Sequence, residues 1–193
     1  MVATQTLPHE MLFEIALNAI RDGYFREAVA SFASSVERFF EFSLRVIADR
    51  NKVKDDLFEL AWKKITSQSE RQLGAFVMQY TNTFFEMPAL LSQNMVELRN
   101  NVVHKGNLPD RGEAVAFGGA AYEVILPGVV KLRSACLDNV NNTLGKHVGK
   151  IAAKMGSTYP RAFQVTPTAL NIIQDTSKGY KPFEAILEEY GLK

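Results

Sequence analysis

The sequence predicts an all-α fold: an antiparallel helical bundle over residues 1–155, followed by an irregular C-terminal tail over 156–193 with one short final helix. Three observations carry this expectation. Apolar residues recur at i, i+3, i+4 and i+7 in successive segments up to about residue 155. The segments are joined by short polar stretches, as antiparallel neighbours in a bundle require. Beyond them, Gly156, Pro160, Pro167, Gly179 and Pro182 interrupt any long period.

The first helix starts near Pro8, a residue suited to the first helical position, and ends at Gly23, with Leu12, Ile15, Ala16, Ala19 and Ile20 on one face. The second covers "FREAVASFASSVERFFEFSLRVIADR". Its stripe of Ala28, Phe32, Val36, Phe39, Phe40, Ser43, Leu44 and Ile47 is wider than a surface helix needs, which predicts packing against at least two neighbours. A turn at "NKVK" leads to a third helix over 55–66, with Asp55 or Asp56 as its expected cap. A fourth starts at Ser69 and runs to about residue 85. Pro88 restarts the chain into a fifth, which contains "MVELRNNVVHKG". A long helical region follows from about residue 111 to 155, with a kink expected at Pro127, where a backbone donor is missing. In the tail, "AFQV" reads as a short extended piece and "PFEAILEEYGL" as the last helix. Two fates are open to the tail: folding back on the bundle or docking on a partner.

Composition bounds the function. With 193 residues, 47% hydrophobic and 22% charged, the chain can bury a core without covalent staples. A formal net charge of +1 means that any nucleic-acid binding has to come from a local patch. Cys136 is the only cysteine, which excludes an intramolecular disulfide and the usual cysteine-based zinc sites, and fits a reducing cytoplasm. The N-terminal stretch lacks the basic n-region of a signal peptide, and Glu10, Glu14, Arg21 and Asp22 interrupt its apolar residues. The longest apolar run, "AVAFGGAAYEVILPGVV", is short for a bilayer span and contains Glu123, three glycines and Pro127, so it reads as a buried helix.

The chemistry-bearing stretch is "LRNNVVHKG", residues 98–106. One reading is an ordinary helix end, with His104 and Lys105 complementing the macrodipole and Gly106 taking the left-handed position after the last turn. Asn100 and Asn101 would then be exposed, and Leu98, Val102 and Val103 would face the core. The other reading is a reaction site. Histidine exchanges protons near neutral pH, and arginine offers a planar, permanently charged fork matched to phosphate oxygens. Together they suit cleavage of an RNA phosphodiester without a metal. Arg99 and His104 point about 140° apart on a regular helix, whereas Asn100 and His104 are an i,i+4 pair. A site using both needs an arginine reaching round, a loosened helix end or a second subunit, and the last two are the expected solutions.

This arginine, polar residue, spacer and histidine near the end of a late helix resemble the signature of HEPN domains. "YFREAVASFASSVERFFEFSLRVI" is similar to that family's early long helix, which leads to a glutamate, here Glu37, and "DRGEAVAFGGAAYEVI" to the helix after the motif. The resemblance covers roughly residues 10–130 and leaves the tail aside. It implies a helical bundle that often dimerises with the motif helices lining a shared cleft. Active members are metal-independent endoribonucleases of toxin–antitoxin pairs, phage-defence systems and RNA-processing machines; others are binding or assembly modules. Carried over, His104 is the general acid/base, Arg99 the phosphate-stabilising residue and Asn100 the orienting residue. Glu37, Lys105 and Arg111 are weaker substrate-binding candidates, Glu37 being open also to contact with the arginine or to the ordinary solvated or structurally paired role of a glutamate on a long helix, and no metal or other cofactor is implied. The expected partners are RNA, a second copy of the chain, and an antitoxin or larger defence complex. A non-catalytic binding or dimerisation module is the alternative.

Other features point to ordinary roles. His9 is expected to be exposed at a helix start, and neither it nor His147 belongs to a metal-spaced pair. "FGGAAYE" lacks the lysine of a phosphate loop and reads as close helix packing. No serine is marked as a nucleophile. Lys146, Lys150 and Lys154 recur every four residues, near Lys131, Arg133 and Arg161 in sequence; this is a solvated face or a phosphate-tracking stripe, the first being the simpler.

Overall fold

The computed structural model describes residues 2–4, 6–154, 162–164, 168–172 and 179–192, and the chain in it is all-α. Its elements are β1 (Val2–Thr4), α1 (Pro8–Arg21), α2 (Phe25–Arg50), α3 (Asp55–Ile65), α4 (Ser69–Phe84), α5 (Gln93–Lys105), α6 (Arg111–Lys154), β2 (Ala162–Gln164) and α7 (Phe183–Glu189). Two compact units result, one from residues 1–7, 40–88 and 130–167, the other from residues 8–39, 89–129 and 168–193. The long helices α2 and α6 contribute to both. All eight residues of the apolar stripe expected on α2 are buried.

In the unit holding α1, α5 and α7, the core is aromatic. Phe13 meets Phe32 edge-on at 4.9 Å and lies 6.0 Å from Tyr122, while Phe183 of α7 sits 5.7 Å from Tyr122. Phe13, Phe32 and Tyr122 are all but fully buried, each such side chain contributing about 1.5–3 kcal/mol. Glycines on α6 let these rings approach: a Cβ at Gly118 would lie 2.8 Å from the Phe32 ring, and one at Gly128 would lie 2.5 Å from Phe39. The buried face of α1 is not quite the one expected. Phe13, Ala16, Leu17 and Ile20 point inward with His9 and Glu10, whereas Ile15 is exposed. His9 is therefore buried rather than exposed, edge-on to Phe39 at 5.5 Å, and its carbonyl accepts a hydrogen bond from the Ser35 hydroxyl.

The described parts of the tail beyond β2, residues 168–172 and 179–192, fold back on this same unit. Leu170, Ile172, Phe183, Ile186 and Leu187 are buried. Polar side chains fasten the backbone: Glu10 accepts from the Ile172 amide at 2.8 Å, and Glu14 from the Ala169 amide at 2.7 Å and from the Tyr190 hydroxyl. The Tyr122 hydroxyl donates to the Lys181 carbonyl at 2.6 Å.

The other unit is built on α3, α4 and the second parts of α2 and α6. Phe40 stacks on Phe76 at 4.4 Å, and the ring series continues through Tyr80 to Phe84. The extended piece expected at "AFQV" is β2, which pairs in parallel with β1, Val2 opposite Ala162, a partner the sequence did not suggest. Capping also differs from expectation. Asp55 and Asp56 lie in the first turn of α3, where a negative charge opposes the positive end of the macrodipole, and Lys54 holds the N-cap position. The fifth helix starts at Gln93 rather than just after Pro88.

The expected kink at Pro127 is displaced. α6 keeps helical dihedrals through Pro127 and departs from them at Cys136, with φ −142° and ψ 32°. Pro127 is exposed, so the carbonyl it deprives of a partner lies on a solvent-facing surface and the helix continues. At Cys136 the break has an acceptor-capturing partner. The Arg50 guanidinium donates to the Ala135 carbonyl at 2.6 Å and lies 3.2 Å from the Cys136 sulfur. Beyond the break, Asn139, Asn142 and Lys146 all donate to Asp49. Among the described residues α6 is the one helix long and apolar enough to cross a membrane, and half of its most apolar window is buried within the protein.

Candidate active site

Helix α5 presents two faces. Val102 is buried, and around it Leu98 and Val103 are half-buried rather than fully enclosed. Arg99 projects between Val102 and Val103, while Asn100 and His104 lie one turn apart on the opposite side. The helix runs regularly to Lys105 and stops at Gly106, whose φ of 76° is left-handed. The Gly106 and Asn107 amides both donate to the Asn101 carbonyl, closing the last turn. So the ordinary helix-end chemistry is present in full, and the end is not loosened.

Arg99 and His104 nevertheless meet. The guanidinium curls along the helix so that Nη1 donates to Asn100 Oδ1 at 2.9 Å and lies 3.1 Å from His104 Nε2. Its other terminal nitrogen, Nη2, pairs with Glu37 Oε1 of α2 at 2.8 Å. The expectation that a distorted helix end or a second subunit would be needed is thus corrected. The arginine side chain is long enough to close the 140° gap within a single chain, because Glu37 and Asn100 hold its head in place.

A guanidinium only donates, so Nε2 is the accepting nitrogen and the proton of the neutral ring resides on Nδ1. Among the described residues, Asn100, His104 and Glu37 engage three of the five guanidinium N–H groups, and Nε–H and one Nη2–H take no partner. Arg99 and Glu37 are largely enclosed, with side-chain exposures of 18% and 27%, whereas His104 is exposed. An exposed histidine therefore stands beside a fixed cation, with its accepting nitrogen turned toward that cation.

The weaker candidates separate. Glu37 contacts the arginine and is its counter-ion. Arg111 donates to the Leu192 carbonyl and so anchors the chain end. Lys105 is exposed beside His104 and forms no ion pair among the described residues. The lysine stripe of α6 is committed elsewhere: Lys146 bridges Asp49 and Asp55, and Lys150 pairs with Glu59, so two of its three cations are already neutralised. Sequence reasoning passed over the reciprocal cap at the start of α6, where Asp110 Oδ1 accepts from the Glu113 amide and Glu113 accepts from the Asp110 amide. The signal was legible as Asp-x-x-Glu, and this cap ends the loop that follows the motif. Compared with protein-family models, curated proteins and solved structures, the chain matches none.

Proposed function

We propose that this chain is a metal-independent endoribonuclease of the HEPN type, working in the cytoplasm as a homodimer and serving as a toxin or phage-defence effector under the control of an antitoxin or larger complex. The observation that carries the reading is the contact of Arg99 Nη1 with both Asn100 and His104 at an exposed helix end. In the reaction, His104 Nε2 takes the proton of the RNA 2′-hydroxyl as its oxygen bonds to phosphorus. The bond from phosphorus to the 5′-oxygen breaks, and that oxygen receives a proton from the imidazolium or from water. The products are a 2′,3′-cyclic phosphate and a free 5′-hydroxyl. Arg99 holds a non-bridging oxygen through its two unengaged N–H groups. The single lone pair of Nε2 is held by Arg99 Nη1–H, so the imidazole swings off the guanidinium before it takes the proton, and the imidazolium then finds no donor facing it. Lys105 is the added cation best placed in sequence to meet a neighbouring phosphate.

A second reading rests on the Glu37 pair. Arg99 is charge-balanced by Glu37, so the same cluster also serves a non-catalytic binding or dimerisation module in which it ties α5 to α2. Incubating purified protein with mixed RNA in EDTA separates the two. The enzyme reading expects cleavage to cyclic-phosphate ends, and a loss of about 10²–10⁴-fold in His104→Ala with unchanged circular dichroism. Absence of cleavage by the wild-type protein, or full activity in His104→Ala, defeats it. Under the second reading His104→Ala shifts melting or dimerisation, and no nuclease activity exists to lose.

A further inference from the structure

Helix α3 is apolar on both sides. Its inner side is accounted for: Trp62 is buried, Phe58 stacks against it at 6.2 Å, and the Arg45 guanidinium covers the Phe58 ring at 4.8 Å. Its outer side shows Leu57 and Leu60 to solvent at 57% and 61% exposure, with Val53 leading into the same stripe at 37%. Leu57, Leu60 and Lys64 stand at i, i+3 and i+7, which is the seam spacing of paired helices. A helix covered on one side only would carry polar residues at these places.

The charges beside the seam indicate what covers it. Asp56 and Lys63 lie seven residues apart on one flank of the stripe. Both are exposed, and neither has an ion pair among the described residues, whereas Asp55 is taken by Lys146 and Glu59 by Arg45 and Lys150. In an antiparallel helix pair, each flank meets the same flank of its neighbour in reverse order. Asp56 then faces the partner's Lys63, and Lys63 the partner's Asp56. In a parallel pair the flank would meet the side carrying Ala61, and both charges would go unanswered. The macrodipole accounts for acids at the start of α3 and bases at its end. It does not account for two exposed leucines between them.

We propose that the outer face of α3 is a self-association surface, on which a second copy of this chain packs its own α3 antiparallel about a two-fold axis near Leu60. Such an isologous contact pairs Leu60 with Leu60 and closes with two symmetric ion pairs. The seam is only three turns long, small beside the ~1,200–2,000 Å² of a standard stable interface, so association is weak and concentration-dependent. This surface is independent of RNA cleavage and of any pooling of motif helices.

Sedimentation equilibrium of the full chain from micromolar to near-millimolar concentration tests it. The wild type doubles in mass across this range, from monomer to dimer, or from dimer to tetramer where the motif helices already pair. Leu57→Glu/Leu60→Glu keeps the wild-type helical spectrum, since both side chains are exposed, but needs at least about tenfold more protein to dimerise. Asp56→Lys alone weakens the dimer, and Asp56→Lys/Lys63→Asp restores it because each reversed charge again meets its opposite. A wild type whose mass does not rise with concentration overturns the proposal, as does a concentration-dependent step insensitive to the leucine changes. A double charge variant as weak as the single one overturns the antiparallel arrangement.

Discussion

The Glu37–Arg99 pair offers the sharpest test of how the site is held. Two unit charges about 4 Å apart attract by ~4 kcal/mol at an effective dielectric of 20. Solvent reduces this, because the two side chains keep 18% and 27% of their exposure. Fully exposed pairs contribute about 0–1 kcal/mol, and losing one partner of a buried pair costs about 3–5 kcal/mol. Glu37–Arg99 lies between these limits, so a double-mutant cycle of Glu37→Ala, Arg99→Ala and the double variant is expected to give a coupling of about 1–3 kcal/mol in urea unfolding followed by circular dichroism. Arg21–Asp22, with exposures of 52% and 51%, is the internal control and should couple by less than about 0.5 kcal/mol. Equal couplings for the two pairs would refute the reasoning, because they would mean that Glu37 does not fix the arginine head. The nuclease assay adds an independent readout. Glu37→Ala releases the guanidinium from its position over His104, so RNA cleavage should fall even where the variant remains folded.

Further expectations concern the scaffold. Gly128→Ala forces a methyl to within 2.5 Å of the fully buried Phe39 ring and should cost about 1–3 kcal/mol, read as a lowered unfolding midpoint; an unchanged midpoint would mean that the ring has room to move. Arg50→Met removes the donor to the Ala135 carbonyl, so amide exchange should rise across residues 135–140, and unaltered protection there would show that Arg50 is a bystander to the break. His147 is held below the ordinary histidine range, chiefly by burial and then by the Lys150 charge, against a hydrogen bond to the Thr6 backbone. Its folded state resists a proton that the unfolded chain accepts, so its contribution to stability is present above about pH 6.5 and is lost as the pH falls through the lowered folded value. Thermal melts between neutral and mildly acidic pH should therefore decline less steeply for His147→Gln than for wild type, and parallel curves would contradict this.

How much was legible in advance varies with the kind of residue. Every named member of the α2 stripe is buried because 3.6-residue periodicity is a local property, although Val29, Ala33, Phe42 and Val46 are buried beside it. The turn at Gly106 was legible for a similar reason: a left-handed position after the last helical turn selects glycine whatever surrounds it. His9 was misjudged because a polar ring at a helix start carries no local mark of burial; Phe39 and Ser35 enclose it from a different helix. The break in α6 was assigned to the residue with the strongest intrinsic tendency to cause one. It occurs at Cys136, where Arg50 offers the freed carbonyl a partner 85 residues away in sequence.

By itself, then, the chain's order of residues determined the helices, the principal buried stripe and the chemical types gathered at Arg99, Asn100 and His104. These follow from backbone hydrogen bonding and side-chain spacing within a few turns. Only the tertiary structure decided that Arg99 reaches His104 within one chain, that Glu37 balances its charge, and that Lys146 and Lys150 are spent on Asp49, Asp55 and Glu59. Each of those outcomes depends on which carboxylate another helix brings within about 3 Å of a flexible cation, where the pairing energy is large enough to choose one rotamer among many. Spacing along a single helix cannot supply that distance.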